Sequence, residues 1–207
     1  MAQQIPPAGP CWAMPLHQMN LARVQAAAAG NDQPYQEVVD HFWLNFLIHY
    51  LPQAWDCGGE RESFTHARGR QQANVVVTNI RQQTHHHVVI VEAKRFPTNT
   101  PPGWENDYDW NHVQRIVMDH LQASRRMLGR VQTTYGIVAV GDRCRFFYMP
   151  RNCPPRGVLI PWNGNPGNNP VLNAAPILSI HDANDRVTIE RLMEEMRQDI
   201  LSGNNTY

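Results

Sequence analysis

The chain has 207 residues, 42% of them hydrophobic and 17% charged, enough for one hydrophobic core with nothing that requires two domains. Its formal net charge is +0, so the field of the whole molecule will not draw in a polyanion, and nucleic-acid binding would need a local basic patch. No apolar run approaches the roughly 18 residues of a membrane span, and MAQQIPPAGPCWAMP lacks the charged start and apolar core of a signal peptide.

In chain order, residues 1–20 are rich in proline and glutamine and are expected to form a flexible N-terminal segment, with a single domain over 21–203. A short Ala-rich helix is predicted over Leu21 to Ala29. In DQPYQEVVDHFWLNFLIHYL, Asp32 is a candidate N-cap with Pro34 in the first turn. Val38, Val39, Phe42, Trp43, Phe46, Leu47 and Tyr50 then recur at helical spacing up to Pro52.

Strands are predicted near Ser63 to Ala67, at Asn74 to Ile80 and at Val88 to Ala93, the last two joined by RQQTHHH as a hairpin. The third strand is apolar on both faces and so expected to be central. Residues 97–111 form a long polar loop with Trp104 and Trp110; loops of that length are usually functional or disordered. A helix over His112 to Leu128 carries Val113, Ile116, Val117, His120, Leu121 and Met127 on one face and stops at Gly129. Strands at Tyr135 to Val140 and Cys144 to Met149 flank a Gly-Asp turn. A second long loop, 150–170, precedes a short strand at Ile177 to Ile180. The final helix is capped at Asp185 and ends at Gly203. The order α-β-β-β-α-β-β-β-α predicts an α/β (α+β) fold, a mixed central sheet flanked by helices.

Lys94 is the only lysine among 18 basic residues, the rest being arginine. Codon composition explains such a bias, and so does avoidance of ubiquitination by an effector working in another organism's cytosol. Either way lysine is kept at the end of VVIVEAKRF. Lysine differs from arginine in being a compact ammonium whose pKa responds to desolvation. Glu92 and Lys94 point to the same side of a strand, about 7 Å apart along the backbone. A carboxylate oxygen, the Ala93 carbonyl, waters and a substrate phosphate would suit a hard cation, with the lysine orienting or deprotonating the attacking water.

The segments ANVVVTNI and VVIVEAKR together resemble the core of the PD-(D/E)XK nuclease superfamily, the restriction-endonuclease-like fold. That motif places an acid at the start of one strand and E-x-K on the next. TTYGIVAVGDRCRFFYM is similar to the strand pair that closes the sheet in many members, and PYQEVV to their glutamate-bearing helix. The resemblance implies metal-dependent phosphodiester hydrolysis of nucleic acid, DNA before RNA, with Mg2+ or Mn2+. It makes Glu92 a metal ligand, the Ala93 backbone carbonyl a second, Lys94 the water-activating residue and Glu37 an auxiliary acid. The proline-aspartate pair falls on Ala73-Asn74. Asn74 keeps a carbonyl oxygen but loses a charge that would hold the cation, with Asp56, Glu60 and Glu62 as candidate substitutes. Arg95, Arg68 and Arg70 would form a phosphate patch. Gln114 is similar to a helix glutamine found in some related nucleases, which would make it a substrate contact. The alternative is an impaired nuclease-fold module that binds nucleic acid or a protein partner.

Each of these residues also has an ordinary structural reading. Glu92 and Lys94 form an ion pair at a solvated strand end, Glu37 complements a helix dipole, the arginines and Gln114 are solvated surface, and the loop tryptophans pack down rather than stack on a base. Adjacent His85, His86 and His87 point in different directions and make a poor metal site. The four cysteines show no CxxC pair and are read as reduced thiols of an intracellular protein, in cytoplasm or nucleus, although Cys144 and Cys153 would be able to pair after export.

Overall fold

The computed structural model describes residues 9, 11–29, 36–65, 72–81, 83–97, 101–153, 157–163 and 175–202. Its elements are α1 (Pro15–Ala29), α2 (Gln36–Tyr50), β1 (Cys57–Phe64), β2 (Gln72–Arg81), β3 (Thr84–Lys94), α3 (Trp110–Leu128), β4 (Thr134–Val140), β5 (Arg143–Met149), β6 (Ile160–Pro161), β7 (Leu178–Ser179) and α4 (Ala183–Ser202). The fold is α+β: among the described residues, a mixed, mostly antiparallel sheet of seven strands with four α-helices. The strand order is β1-β2-β3-β4-β5-β6, and β7 pairs with β5. Among the described strands only β3 and β4 run parallel, which requires a crossover, and α3 supplies it.

The sheet is covered on both faces, which explains the nearly continuous apolar runs of β3 and β4. Val89, Val91 and Ala93 face a core with Val39, Phe42, Trp43, Phe46 and Leu47 of α2 and Ile189, Leu192, Met193 and Met196 of α4. Ile90, Val138 and Val140 face the opposite core, with Val113, Val117 and Leu121 of α3. The pairing of β2 with β3 shifts register between Val77 and Thr78, and Val88 is skipped. A skipped residue changes the inside-outside phase, so the alternation that places Glu92 is set only after it.

Two glycines permit close approaches. A Cβ on Gly136 would lie 2.5 Å from Val117 Cγ1, so its absence lets α3 settle directly on β4. Gly141 turns the β4–β5 hairpin with φ +55°. Its N–H donates to the Lys94 carbonyl at 2.8 Å, which ties the end of β3 to that turn.

The structure corrects several expectations. The N-terminal region is ordered earlier than 21: α1 starts at Pro15, and Cys11 and His17 are buried. Residues before 11, Gly9 apart, lie outside the described set, as do Asp32, Pro34 and Gly203. His85, His86 and His87 extend β3 rather than forming the hairpin connection, because they pair with Ile80, Asn79 and Thr78. The first strand lies at Cys57–Phe64, ahead of the expected 63–67. The 97–111 loop is partly structured, with a 3-10 turn at Trp104–Asn106 and Trp110 as the first residue of α3. Met127 is exposed, one turn after the apolar face of α3 ends. At α4 the side chain of Asp182 accepts from the N–H groups of Asn184 and Asp185 and acts as the cap; Asp185 instead accepts from Ser179 N.

Candidate functional site

The paired β2–β3 ladder ends at Val75↔Val91. Beyond it side chains take over the backbone bonding. Asn74 Oδ1 accepts from Ala93 N at 2.9 Å, and the Ala93 carbonyl accepts from Gln36 Nε2. Gln36 also accepts from Arg95 N at 3.1 Å and donates to Asp40 Oδ1 at 3.0 Å. One glutamine of α2 therefore stitches the helix to the end of β3.

Glu92 shares the side of Ile90 and so faces α3. It is buried, and Lys94 Nζ donates to its Oε1 at 2.6 Å. Its Oε2 is buried without a hydrogen-bond partner and lies 3.9 Å from His120 Nε2, which is likewise unpartnered. His120 is held on its other side, where Nδ1 is hydrogen-bonded to Thr65 Oγ1 at 2.8 Å. Burial lowers the His120 pKa, so this imidazole stays neutral and does not compensate the carboxylate.

The second buried acid is Asp40, one turn along α2 from Gln36. Burial raises its pKa against the opposing pull of the Gln36 hydrogen bond and of Arg61, whose NH2 stands 3.7 Å from Oδ2. Burial likewise raises Glu92, with Lys94 pulling it down and the Asp40 charge pushing it further up. The Asp40 charge thus opposes ionisation of Glu92, while each of the two buried carboxylates has a cationic neighbour, Lys94 for Glu92 and Arg61 for Asp40.

Glu37, the acid expected from the sequence, is exposed in the first turn of α2. Asp40 was legible in principle: it is a carboxylate inside the stripe Val39, Phe42, Trp43, with Gln36 four residues before it on the same face. Of the candidate substitutes for Asn74, Asp56 is at the opposite end of β2, beside Asn79, and cannot reach the site. Glu60 accepts from Ser63 Oγ at 2.7 Å. Glu62 is exposed and falls opposite Asn74, between the pairs Arg61↔Val75 and Ser63↔Ala73.

Arg95 is exposed beside Lys94, and Gln114 is half-buried on α3. Arg68 and Arg70 lie outside the described residues. Trp104 and Trp110 pack into the domain: their rings stack at 6.4 Å, Phe96 meets Trp104 at 6.2 Å, and Arg145 sits over Trp110 at 5.7 Å. The four cysteines are free. Away from this site, Cys11, His17 and His49 bring ligand atoms within 4.8 Å of one another, a set that can hold a metal ion. Among the described residues no helix is long and apolar enough to cross a membrane.

No protein-family model, curated protein or solved structure matches this chain.

Proposed function

We propose that the end of β3 is a metal-dependent phosphodiesterase site of PD-(D/E)XK type acting on nucleic acid, with Asp40 replacing the acid that Asn74 lacks. The observation that carries this reading is the buried Glu92 carboxylate, its Oε2 unpartnered and its Oε1 bonded to Lys94 at the strand end. Glu92 and Asp40 would hold Mg2+ or Mn2+, since magnesium commonly takes one or two carboxylates and fills its remaining positions with waters and substrate phosphate. When bound, the cation supplies positive charge against a phosphoryl oxygen and lowers the pKa of water. Lys94, 36% exposed and fixed by Glu92 Oε1, is placed to orient a water or a phosphate oxygen. Gln36 and Asn74 hold the Ala93 peptide still, so Glu92 and Lys94 keep their relative positions.

The test is cleavage of supercoiled plasmid, single-stranded DNA and RNA with Mg2+ or Mn2+. Wild type should cut, and Lys94→Ala and Asp40→Asn should each lose at least about 100-fold. Equal activity in wild type and Lys94→Ala removes the catalytic reading.

A second reading has its own observation. Asn74 Oδ1 and the Ala93 carbonyl, two of the oxygens the resemblance assigns to the cation, are already engaged by protein donors. A module that binds nucleic acid without turnover would show binding in wild type, no cleavage with either metal, and cleavage gained in Asn74→Asp.

A further inference from the structure

We propose that Cys11, His17 and His49 form a zinc site that clasps the N-terminal segment and α1 onto α2, independent of the site at the end of β3. The three residues come from separate places: Cys11 precedes α1, His17 lies in its first turn, and His49 is at the end of α2. Their ligand atoms nevertheless lie within 4.8 Å of one another. Ligands of a tetrahedral zinc, at ~2.0–2.3 Å from the metal, stand roughly 3.3–3.8 Å apart, so closure needs a shift of about 1 Å.

The donor set is one thiol sulfur and two imidazole nitrogens, with no oxygen among them. Such a set selects zinc or another borderline-soft ion over magnesium or calcium. Its surroundings also point to a ligand. Cys11 and His17 are 0% and 2% exposed, and His17 Nδ1 is buried with no hydrogen-bond partner. An imidazole in that state leaves a polar atom uncompensated, which native interiors rarely tolerate without a water or an ion. His49 Nε2 meets the Gly9 carbonyl at 3.2 Å, and donation there leaves the lone pair on Nδ1; outer hydrogen bonds of this kind hold ligand imidazoles in register.

The His17 and His49 rings meet edge-on at 5.6 Å, and Phe46 walls His17 at 6.1 Å. Burial and the neighbouring His49 hold His17 neutral, the form that binds metal. Burial, with Glu190 adding to it, raises the Cys11 thiol to about 12, so without a metal the sulfur keeps its proton. On binding, the thiol releases that proton to solvent and the thiolate donates its pair to zinc. Glu190, half-buried on α4, or a water completes the fourth position.

The experiment uses the full chain, stripped with EDTA and then freed of chelator. Zinc should bind at one equivalent per chain and raise Tm. Cobalt substitution should give a thiolate-to-cobalt charge-transfer band with tetrahedral d–d absorption. Cys11→Ser should lose the charge-transfer band, and His49→Gln, at a half-buried position, should weaken zinc by more than about 100-fold, beyond the effect of losing an outer-shell partner. Both variants should match wild type in far-ultraviolet circular dichroism when EDTA is present. Glu92→Gln should bind zinc as wild type does, which separates this site from the phosphodiesterase reading. Absence of stoichiometric zinc, or a cobalt spectrum unchanged in Cys11→Ser and His49→Gln, would overturn the proposal.

Discussion

At the residue scale, Glu92 is a carboxylate whose surroundings work against its charge. A carboxylate buried at the end of a strand, with one oxygen unpartnered and its pKa raised by burial, opposes folding at neutral pH. Its partner Lys94 is 36% exposed and remains solvated if the carboxylate is removed. Glu92→Gln should therefore leave Tm at pH 7.5 unchanged or higher by about 2–4 °C, a gain of up to ~1 kcal/mol for a chain of this size, while abolishing metal-dependent cleavage. Differential scanning fluorimetry beside the plasmid assay checks this. A large fall in Tm would make Glu92 a structural ion-pair partner. Asp40 follows the same logic, although Arg61 and Gln36 both hold it and a substitution there disturbs more bonds.

At the scale of elements, the site depends on how two helices meet one strand. Gln36 carries α2 to the Ala93 peptide, and His120 carries α3 to within 3.9 Å of Glu92. The depth of α3 is set where Val117 lies over Gly136. Gly136→Ala should cost about 1–3 kcal/mol by overpacking, and Val117→Ala in the same chain should recover part of that loss. Denaturant melts of the two single variants and the double variant measure the coupling. Additive losses would show that this contact does not set the spacing. The helices and the order of strands were legible from periodicity, because Phe42, Trp43, Phe46 and Val113, Val117, Leu121 repeat with the helical period. The edge pairings of β6 and β7 were less so. β7 falls inside the strand expected at Ile177 to Ile180, whereas β6, two residues long and too short for alternation to register, was not expected, and both pair with β5.

For the molecule as a whole, acid sensitivity should come from buried and half-buried histidines. His17, His86, His87, His120 and His181 all have pKa values lowered by burial. Below about 6.5 the unfolded chain takes up protons that these folded imidazoles refuse, so each removes stability as pH falls from there to its folded pKa. The buried carboxylates Asp40, Glu92 and Asp199 and the half-buried Asp142 are raised and act in the opposite sense, which makes a variant-minus-wild-type difference the clean readout. His181 belongs to neither proposed site and faces Asp142, which raises its pKa, and Arg186 and Arg143, which lower it. His181→Gln should lose less stability than wild type between pH 7 and 5, as measured by urea midpoints. A steeper loss would mean that protonated His181 is stabilised by Asp142.

The sequence by itself determined the α+β class, the central place of VVIVEAKRF and the shared direction of Glu92 and Lys94, because apolar periodicity and strand alternation are local properties of the chain. It also placed Asn74 where the motif it resembles would carry an acid. Tertiary structure alone decided which acid stands near Glu92. Glu37 and Asp40 lie on the same helical turn, and only the seating of α2 on the sheet turns Asp40 inward and leaves Glu37 in water. It alone also brought Cys11, His17 and His49 together, since residues that far apart along the chain meet only when α1 docks on α2.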